Sequence, residues 1–272
     1  MFPFRKILFP ADFSKRCEGA ARAVRTMALQ FDAEVTGLHI VEVSSADSTY
    51  EVLSRRAGDK MDQLVAQELA GCKVVQFVER GDPAQVILSY AHNGNFDLVM
   101  MPTHGYGLFR RFLLGSVTAK ILHDASCPVW TCAHLETWPA AENLGIRNVL
   151  GAVDLGPRSA AVLAQASQIA ERFQAKLIVA HVVPEVHWGE DWRKEAKKGI
   201  PEQIQKLLPA GGPPAEIEIL EGSPATALPE ALDRFNSDLI VMGRTRAPET
   251  GGYLGANAYA IIARSPCPVL SV

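Results

Sequence analysis

The sequence predicts an α/β fold made twice: two tandem doubly wound domains, each a five-stranded parallel sheet flanked by helices. Short apolar runs alternate with helical periodicities, which is the pattern of parallel strands covered on both faces. Landmarks of the first half also return in the second at a nearly constant offset. Residues 7–12 return as 149–154 and 38–41 as 180–183, offset by 142. Residues 81–84 return as 222–225 and 97–100 as 238–241, offset by 141, and 127–129 return as 267–269, offset by 140. Each copy is therefore domain-sized, too long for one unit of a solenoid. The domains are expected at 1–137 and 147–272, with the join near 134–147, where Trp138-Pro139 interrupts any regular pattern.

In chain order, residues 6–11 are apolar up to Asp12 and predict a buried strand. Ser14 is placed to cap the next helix, in which Ala20, Ala21, Val24, Met27, Ala28 and Phe31 recur at helical spacing. Residues 34–41 predict a second strand, 44–71 are polar with helical stretches, and 73–78 predict a third strand. Pro83 opens a helix where its missing N–H costs little, with Val86, Ile87 and Tyr90 as the expected inner face. A strand at 97–101, a helix at 116–123 and a strand at 127–131 complete the copy. The second copy predicts strands at 148–153, 175–183, 215–220, 238–243 and 267–271. Its polar insert carries Trp188 and Trp192, read as packing residues or as the lining of a partner surface.

Composition bounds the function. With 48% hydrophobic and 21% charged residues and a net charge of −3, the chain reads as soluble and globular. It offers no electrostatic case for nucleic acid or a membrane surface. No apolar stretch approaches the ~20 residues of a membrane span. The start, Met1-Phe2-Pro3-Phe4-Arg5-Lys6, lacks a signal-peptide core, so the expected location is cytoplasmic. Five scattered cysteines include Cys127 and Cys132, with no second pair and no histidine cluster at zinc spacing. Buried thiols are expected, and no metal.

The most informative stretch is Met100-Met101-Pro102-Thr103-His104-Gly105, then nine residues, then Gly115-Ser116-Val117-Thr118. A strand feeds a glycine turn, and a second glycine opens a helix. Glycines let backbone N–H groups approach an anion, and a helix start offers unpaired donors and partial positive charge. Asp12 and the 102–105 turn both sit at strand C-terminal ends, where open α/β sheets bind ligands at the reversal of strand order. Other roles stand beside these: Asp12 or Ser116 as a plain helix cap, and the glycines as a tight turn.

These residues, with the closing Cys-Pro-Val strands and the tandem plan, resemble the universal stress protein (UspA) family across essentially the whole chain. The resemblance implies a Rossmann-like, adenine nucleotide alpha hydrolase-like fold and a non-catalytic stress-response protein. It implies ATP as ligand, with or without Mg²⁺, held through the family motif Gly, two residues, Gly, nine residues, Gly-Ser/Thr. That transfers to Gly105, Gly115 and Ser116 for phosphates and ribose, and to Asp12 near the adenosine. Backbone contacts transfer to Ala11, Val41, Met101, Val117 and Thr118. The first motif glycine is here Pro102, which removes one N–H. His104 either reaches a phosphate or packs on the loop, and Arg110 and Arg111 either neutralise phosphate or are solvated.

The second copy keeps Gly243 and Asp154, but Arg246 replaces the second glycine, only eight residues precede Gly255, and Ala256 stands where a hydroxyl is expected. A nucleotide is therefore expected in the N-terminal domain only. The resemblance also implies pairing through the last strands, 128–131 with 268–271, giving an intramolecular pseudo-dimer open to further homodimerisation, and an unidentified protein partner. Two other functions are open: an ATPase or phosphotransferase, although the chain has no Gly-x4-Gly-Lys-Ser/Thr loop, and an interaction module with empty clefts, in which Tyr106, His104 or Phe109 plugs the first. Kinship with electron-transfer flavoproteins is disfavoured by the Cys-Pro-Val ends and the nine-residue spacing.

Overall fold

The computed structural model describes residues 3–42, 49–104, 114–132, 145–185, 198–244 and 255–272. They fall into two compact units divided between Leu144 and Gly145.

The first unit runs β1 (Lys6–Pro10), α1 (Lys15–Phe31), β2 (Glu34–Val41), α2 (Tyr50–Glu68), β3 (Lys73–Arg80), α3 (Pro83–Asn93), β4 (Leu98–Pro102), α4 (Ser116–Asp124) and β5 (Val129–Cys132). The strands lie in the order β3-β2-β1-β4-β5, all parallel. The order reverses between β1 and β4, which pair only at Ile7–Leu98 and Leu8–Val99. Beyond those residues the two strands part, and the crevice this leaves is where such sheets bind ligands.

Local chemistry explains the elements. The Ser14 hydroxyl accepts from the Cys17 N–H and starts α1, and the predicted apolar stripe is the buried one. Phe31 at its end meets Phe4 edge-on, with centroids 5.4 Å apart. Helix α2 buries only Ala57, Met61 and Leu64, so its sequence reads as polar although it is a single helix. Gly37 in β2 lets α2 approach closely: a Cβ there would lie 3.2 Å from the Met61 sulfur, which would have to shift. Helix α3 corrects the expected inner face. Ala84, Ile87 and Ala91 are buried, whereas Val86 and Tyr90 are only partly covered. Tyr90 turns toward the sheet edge, where it meets Phe77 and donates to Glu79.

The second unit runs β6 (Asn148–Val153), α5 (Ser159–Phe173), β7 (Lys176–Val183), α6 (Ile200–Leu207), β8 (Ala215–Glu221), α7 (Pro224–Arg234), β9 (Leu239–Met242), α8 (Ala256–Arg264) and β10 (Val269–Ser271). Its order is β8-β7-β6-β9-β10, again parallel. All five cysteines are free thiols. No helix among the described residues is long and apolar enough to cross a membrane. Trp138, Trp188 and Trp192 lie outside the described residues.

Two side-chain devices recur in both units. Before the fourth strand an aspartate ties down the start of the first. Asp97 accepts from the N–H groups of Arg5 and Lys6 at 2.9 and 3.0 Å, and Asp238 accepts from Arg147 and Asn148 at 2.8 and 2.9 Å. At the other end of the strands a histidine joins the second strand to the chain at the end of the first. His39 Nδ1–H donates to the Ala11 carbonyl at 2.7 Å, and His181 Nδ1–H to that of Val153 at 2.8 Å.

Replacing Asp238 with Ala strips two N–H groups of a charged acceptor, so urea unfolding should show a loss of about 1–3 kcal/mol, the range for such bonds. His39 titrates below its ordinary value of 6.5, first because burial disfavours the imidazolium, against the opposing pull of the Ala11 carbonyl and Asp12. The unfolded chain therefore takes up the proton first as pH falls. Stability linked to this residue is complete above about 6.5 and declines through the window just below. The stability difference between wild type and His39→Gln, measured by denaturation at pH 8 and 5.5, should shrink at the lower pH.

Candidate functional site

Where β1 and β4 part, the first unit has a cleft of about 490 Å³. It is lined by Ile40 and Glu42 from the end of β2, with His39 beside them, by Pro83 and Ile87 from α3, and by Pro10, Ala11, Asp12 and Met101 from the strand ends. Pro102, His104 and the start of α4 from Gly115 to Thr118 complete the lining.

The start of α4 is the electrostatic feature. Gly115 precedes the helix in an extended conformation and offers no capping side chain. Its own N–H is committed to the Thr103 carbonyl at 2.9 Å, and the first helical bond runs from Ala119 N–H to the Gly115 carbonyl at 2.8 Å. The N–H groups of Ser116, Val117 and Thr118 are thus left without helical acceptors, at the end carrying roughly half a positive charge. Ser116 is the first helical residue and not the cap, which corrects the plain-cap reading; its side chain is exposed. Thr118 is buried and donates through its hydroxyl to the Pro102 carbonyl at 3.2 Å, fixing the helix to the end of β4.

Asp12 begins the β1–α1 turn. Its Oδ1 accepts from the Ser14 N–H at 3.0 Å, and its Oδ2 accepts no hydrogen bond among the described residues. Ser14, not Asp12, caps α1. Phe13 takes a left-handed conformation, φ 61°, as does its counterpart Leu155, so both turns are equally tight. The Phe13 ring lies 4.5 Å from that of His39, with the Lys60 ammonium 5.6 Å from its centre.

Of the residues expected from the sequence, Ala11, Asp12, Met101, His104, Gly115, Ser116, Val117 and Thr118 come together here. Val41 does not line the cleft: its side chain is buried and its carbonyl accepts from the Gly81 N–H. Gly105, Tyr106, Phe109, Arg110 and Arg111 lie outside the described residues. Sequence reasoning missed Pro10, His39, Ile40, Glu42, Pro83 and Ile87 as lining. Two of these were signalled by the repeat, His39 by His181 and Pro83 by Pro224, but the rest carry no local signal. Pro102 ends β4. The Thr103 N–H that follows donates to Cys132 in β5, so by strand alternation the donor missing from Pro102 would have pointed the other way, into the crevice.

The corresponding place in the second unit is partly taken by its own side chains, although α8 starts, as α4 does, after a glycine without a capping side chain. Asp154 Oδ1 accepts from both the Gly156 N–H at 2.8 Å and the Ser159 hydroxyl at 3.2 Å. Arg158 packs its stem against Gly243, the counterpart of Pro102, and donates to the Val272 carbonyl at 3.1 Å. Arg244 is buried beside them, where the first unit has Thr103. Arg246, Gly251 and Gly252 lie outside the described residues.

The model of the universal stress protein family matches residues 3–132 and again 145–272. Universal stress protein MJ0531 of Methanocaldococcus jannaschii is 31% identical over 136 residues, covering 46% of this chain and 80% of that protein. A putative universal stress protein of Staphylococcus aureus is 30% identical over 140 residues, 47% of this chain and 84% of its own length. Among solved structures, a universal stress protein of Archaeoglobus fulgidus superposes with a TM-score of 0.78 at 25% identity, covering 99% of this chain and 98% of that one. A putative universal stress protein of Pseudomonas aeruginosa gives 0.70 at 16% identity, covering 99% and 93% and showing the shared fold. With the doubly wound sheet present in each unit and the family model matching both halves, the chain belongs to the universal stress protein family.

Proposed function

We propose that the first unit binds an adenine nucleotide, ATP with Mg²⁺ accompanying its phosphates, without turnover, and that occupancy sets a surface read by a protein partner in a stress response. The observation that carries the reading is the uncapped start of α4 lining a cleft that also holds the apolar side chains of Ile40, Pro83 and Ile87. Phosphates suit the three N–H groups at the helix start. A planar base suits the shelf of Ile40, Pro83 and Ile87, and the Oδ2 of Asp12 suits a ribose hydroxyl. In the second unit the Arg158 stem fills the space beside Gly243 and Arg244 is buried next to it, so one nucleotide per chain is the expected stoichiometry.

A second reading, an interaction module with an empty cleft, is favoured by Pro102. A hydrogen bond to a charged group is worth about 1.5–3 kcal/mol, so the missing donor lowers phosphate affinity roughly ten- to a hundredfold. Abundant ATP can still fill a site weakened to that extent.

Titration calorimetry of nucleotide-free protein with Mg-ATP separates the two, with about one site per chain expected. Gly115→Asp should weaken binding by at least about tenfold, because a carboxylate at this position caps the same N–H groups and repels phosphate. It should leave the fold intact, since a Cβ at Gly115 meets only ordinary contacts at 3.5 Å. Pro102→Gly should tighten binding. No heat with the wild type, or identical titrations for wild type and Gly115→Asp, would sink the nucleotide reading.

A further inference from the structure

We propose that β3 is a self-association strand: a second copy of this chain adds its own β3 antiparallel to it, with the two-fold axis at Gln76. The proposal does not depend on the nucleotide reading.

β3 is the terminal strand of its sheet, paired only with β2 among the described residues. Its direction of hydrogen bonding can be read from its end. The Gly81 N–H, next after the strand, donates inward to Val41. Residues facing a neighbour alternate along a strand, so Lys73, Val75, Phe77 and Glu79 turn their N–H and C=O groups toward β2. Val74, Gln76 and Val78 turn theirs outward. The Tyr50 hydroxyl meets the Val78 carbonyl from that outer side, at a weak 3.4 Å.

The side chains add to this open ladder. Val75 and Phe77 are 42% and 41% exposed on the same face of the strand. Lys73 and Glu79 flank them. Lys73 pairs with Asp32 at 2.7 Å, and Glu79 accepts from the Tyr90 hydroxyl at 2.5 Å.

An antiparallel copy centred on Gln76 makes Gln76–Gln76 and Val74–Val78 hydrogen-bonded pairs. It places Val75 opposite Phe77 and Lys73 opposite Glu79 in the closer, non-hydrogen-bonded positions, where aromatic–β-branched and opposite-charge pairs are favourable. Centring the axis on Val75 would put Lys73 opposite Phe77, and centring it on Phe77 would put Val75 opposite Glu79. Only the Gln76 register matches apolar with apolar and cation with anion.

The repeat supplies an internal control. β8 is the corresponding edge strand, and its in-strand charges are Glu216, Glu218 and Glu221, with no cation. A copy centred on Ile217, the counterpart of Gln76, would set Glu216 against Glu218. Lys176 and Arg234, which balance two of these carboxylates, come from β7 and α7. Like charges opposite one another are a standard means of keeping an edge unpaired. Of two edges built on one plan, β8 is blunted against its own kind and β3 is complementary to it.

Sedimentation velocity of the full chain over about 1–200 μM tests the proposal. Reversible dimerisation is expected. Gln76→Pro, which removes the central outward donor at an edge position where proline is tolerated, should raise the dissociation constant at least about tenfold, or ~1.4 kcal/mol. Lys73→Glu and Glu79→Lys should each weaken the dimer a few-fold, and the double variant should recover wild-type association, since both inter-chain pairs are re-formed with signs exchanged. Ile217→Pro should leave association unchanged. Circular dichroism checks the fold of each variant, and the charge exchange decides the matter if Gln76→Pro does not fold. A chain that stays monomeric throughout would overturn the proposal, as would a dimer indifferent to Gln76→Pro or a double variant as weak as either single one. Monomeric behaviour would instead leave this edge to an extended segment of a different protein.

Discussion

The cleft of the first unit depends on a helix whose first turn is left unfinished. Gly115 cannot cap α4, and its own N–H is taken by Thr103. A serine or aspartate at that position would satisfy the helix from within, and the donors would cease to face the cleft. The helix nevertheless stays in place because Thr118 ties it to the Pro102 carbonyl and Ile121 and Leu122 are fully buried. The strength lost at the cap is supplied by packing one turn later, so the donors can remain open without the helix fraying.

The two units act as an experiment in what this fold requires. Both keep the aspartate at the start of the fourth strand, the histidine that joins the first two strands, and the left-handed residue after the first strand. These hold the sheet at its two ends, and neither unit dispenses with them. The cleft is where the units part. In the first, Asp12 accepts only the Ser14 N–H among the described residues, while in the second the same oxygen of Asp154 that holds the Gly156 N–H also takes the Ser159 hydroxyl. The space beside Gly243 receives an arginine stem. Sheet, helices, turns and the glycine-led, uncapped start of α4 and α8 are thus shared, whereas the space at the strand ends is a cleft in the first unit and receives an arginine stem in the second.

The sheet edges diverge in the same way. Edge strands expose unpaired backbone groups, and a charge pattern decides whether a like strand is repelled or matched. β8 carries acidic residues alone, whereas β3 alternates Lys73, Val75, Phe77 and Glu79 along one face. The duplicated plan therefore leaves one edge closed to its own copy and one open to it.

Much of this was legible in the chain. Apolar runs, the helical stripe of α1, Pro83 at a helix start and the repeat offset together led to two parallel doubly wound sheets, because burial on both faces imposes those periodicities directly on neighbouring residues. The glycine spacing and the Asp12 landmark pointed to the strand ends, and the family resemblance they carried named Ala11, Met101, Val117 and Thr118 there. Tertiary structure decided the rest. Ile40, Glu42 and Ile87 reach the cleft from β2 and α3, which are far from the motif in sequence, so no local pattern could place them there. Tyr90 read as core but belongs to the sheet edge, because the direction in which α3 crosses the sheet is set by packing. Ser116 read as a cap or as a donor, and only the folded helix start, with Gly115 N–H bonded to Thr103 and Ala119 closing on the Gly115 carbonyl, placed Gly115 before the helix and left the serine's N–H open. Composition and periodicity report what each residue buries against its near neighbours. Which distant residues share a cleft depends on strand order, and strand order exists only once the sheet is assembled.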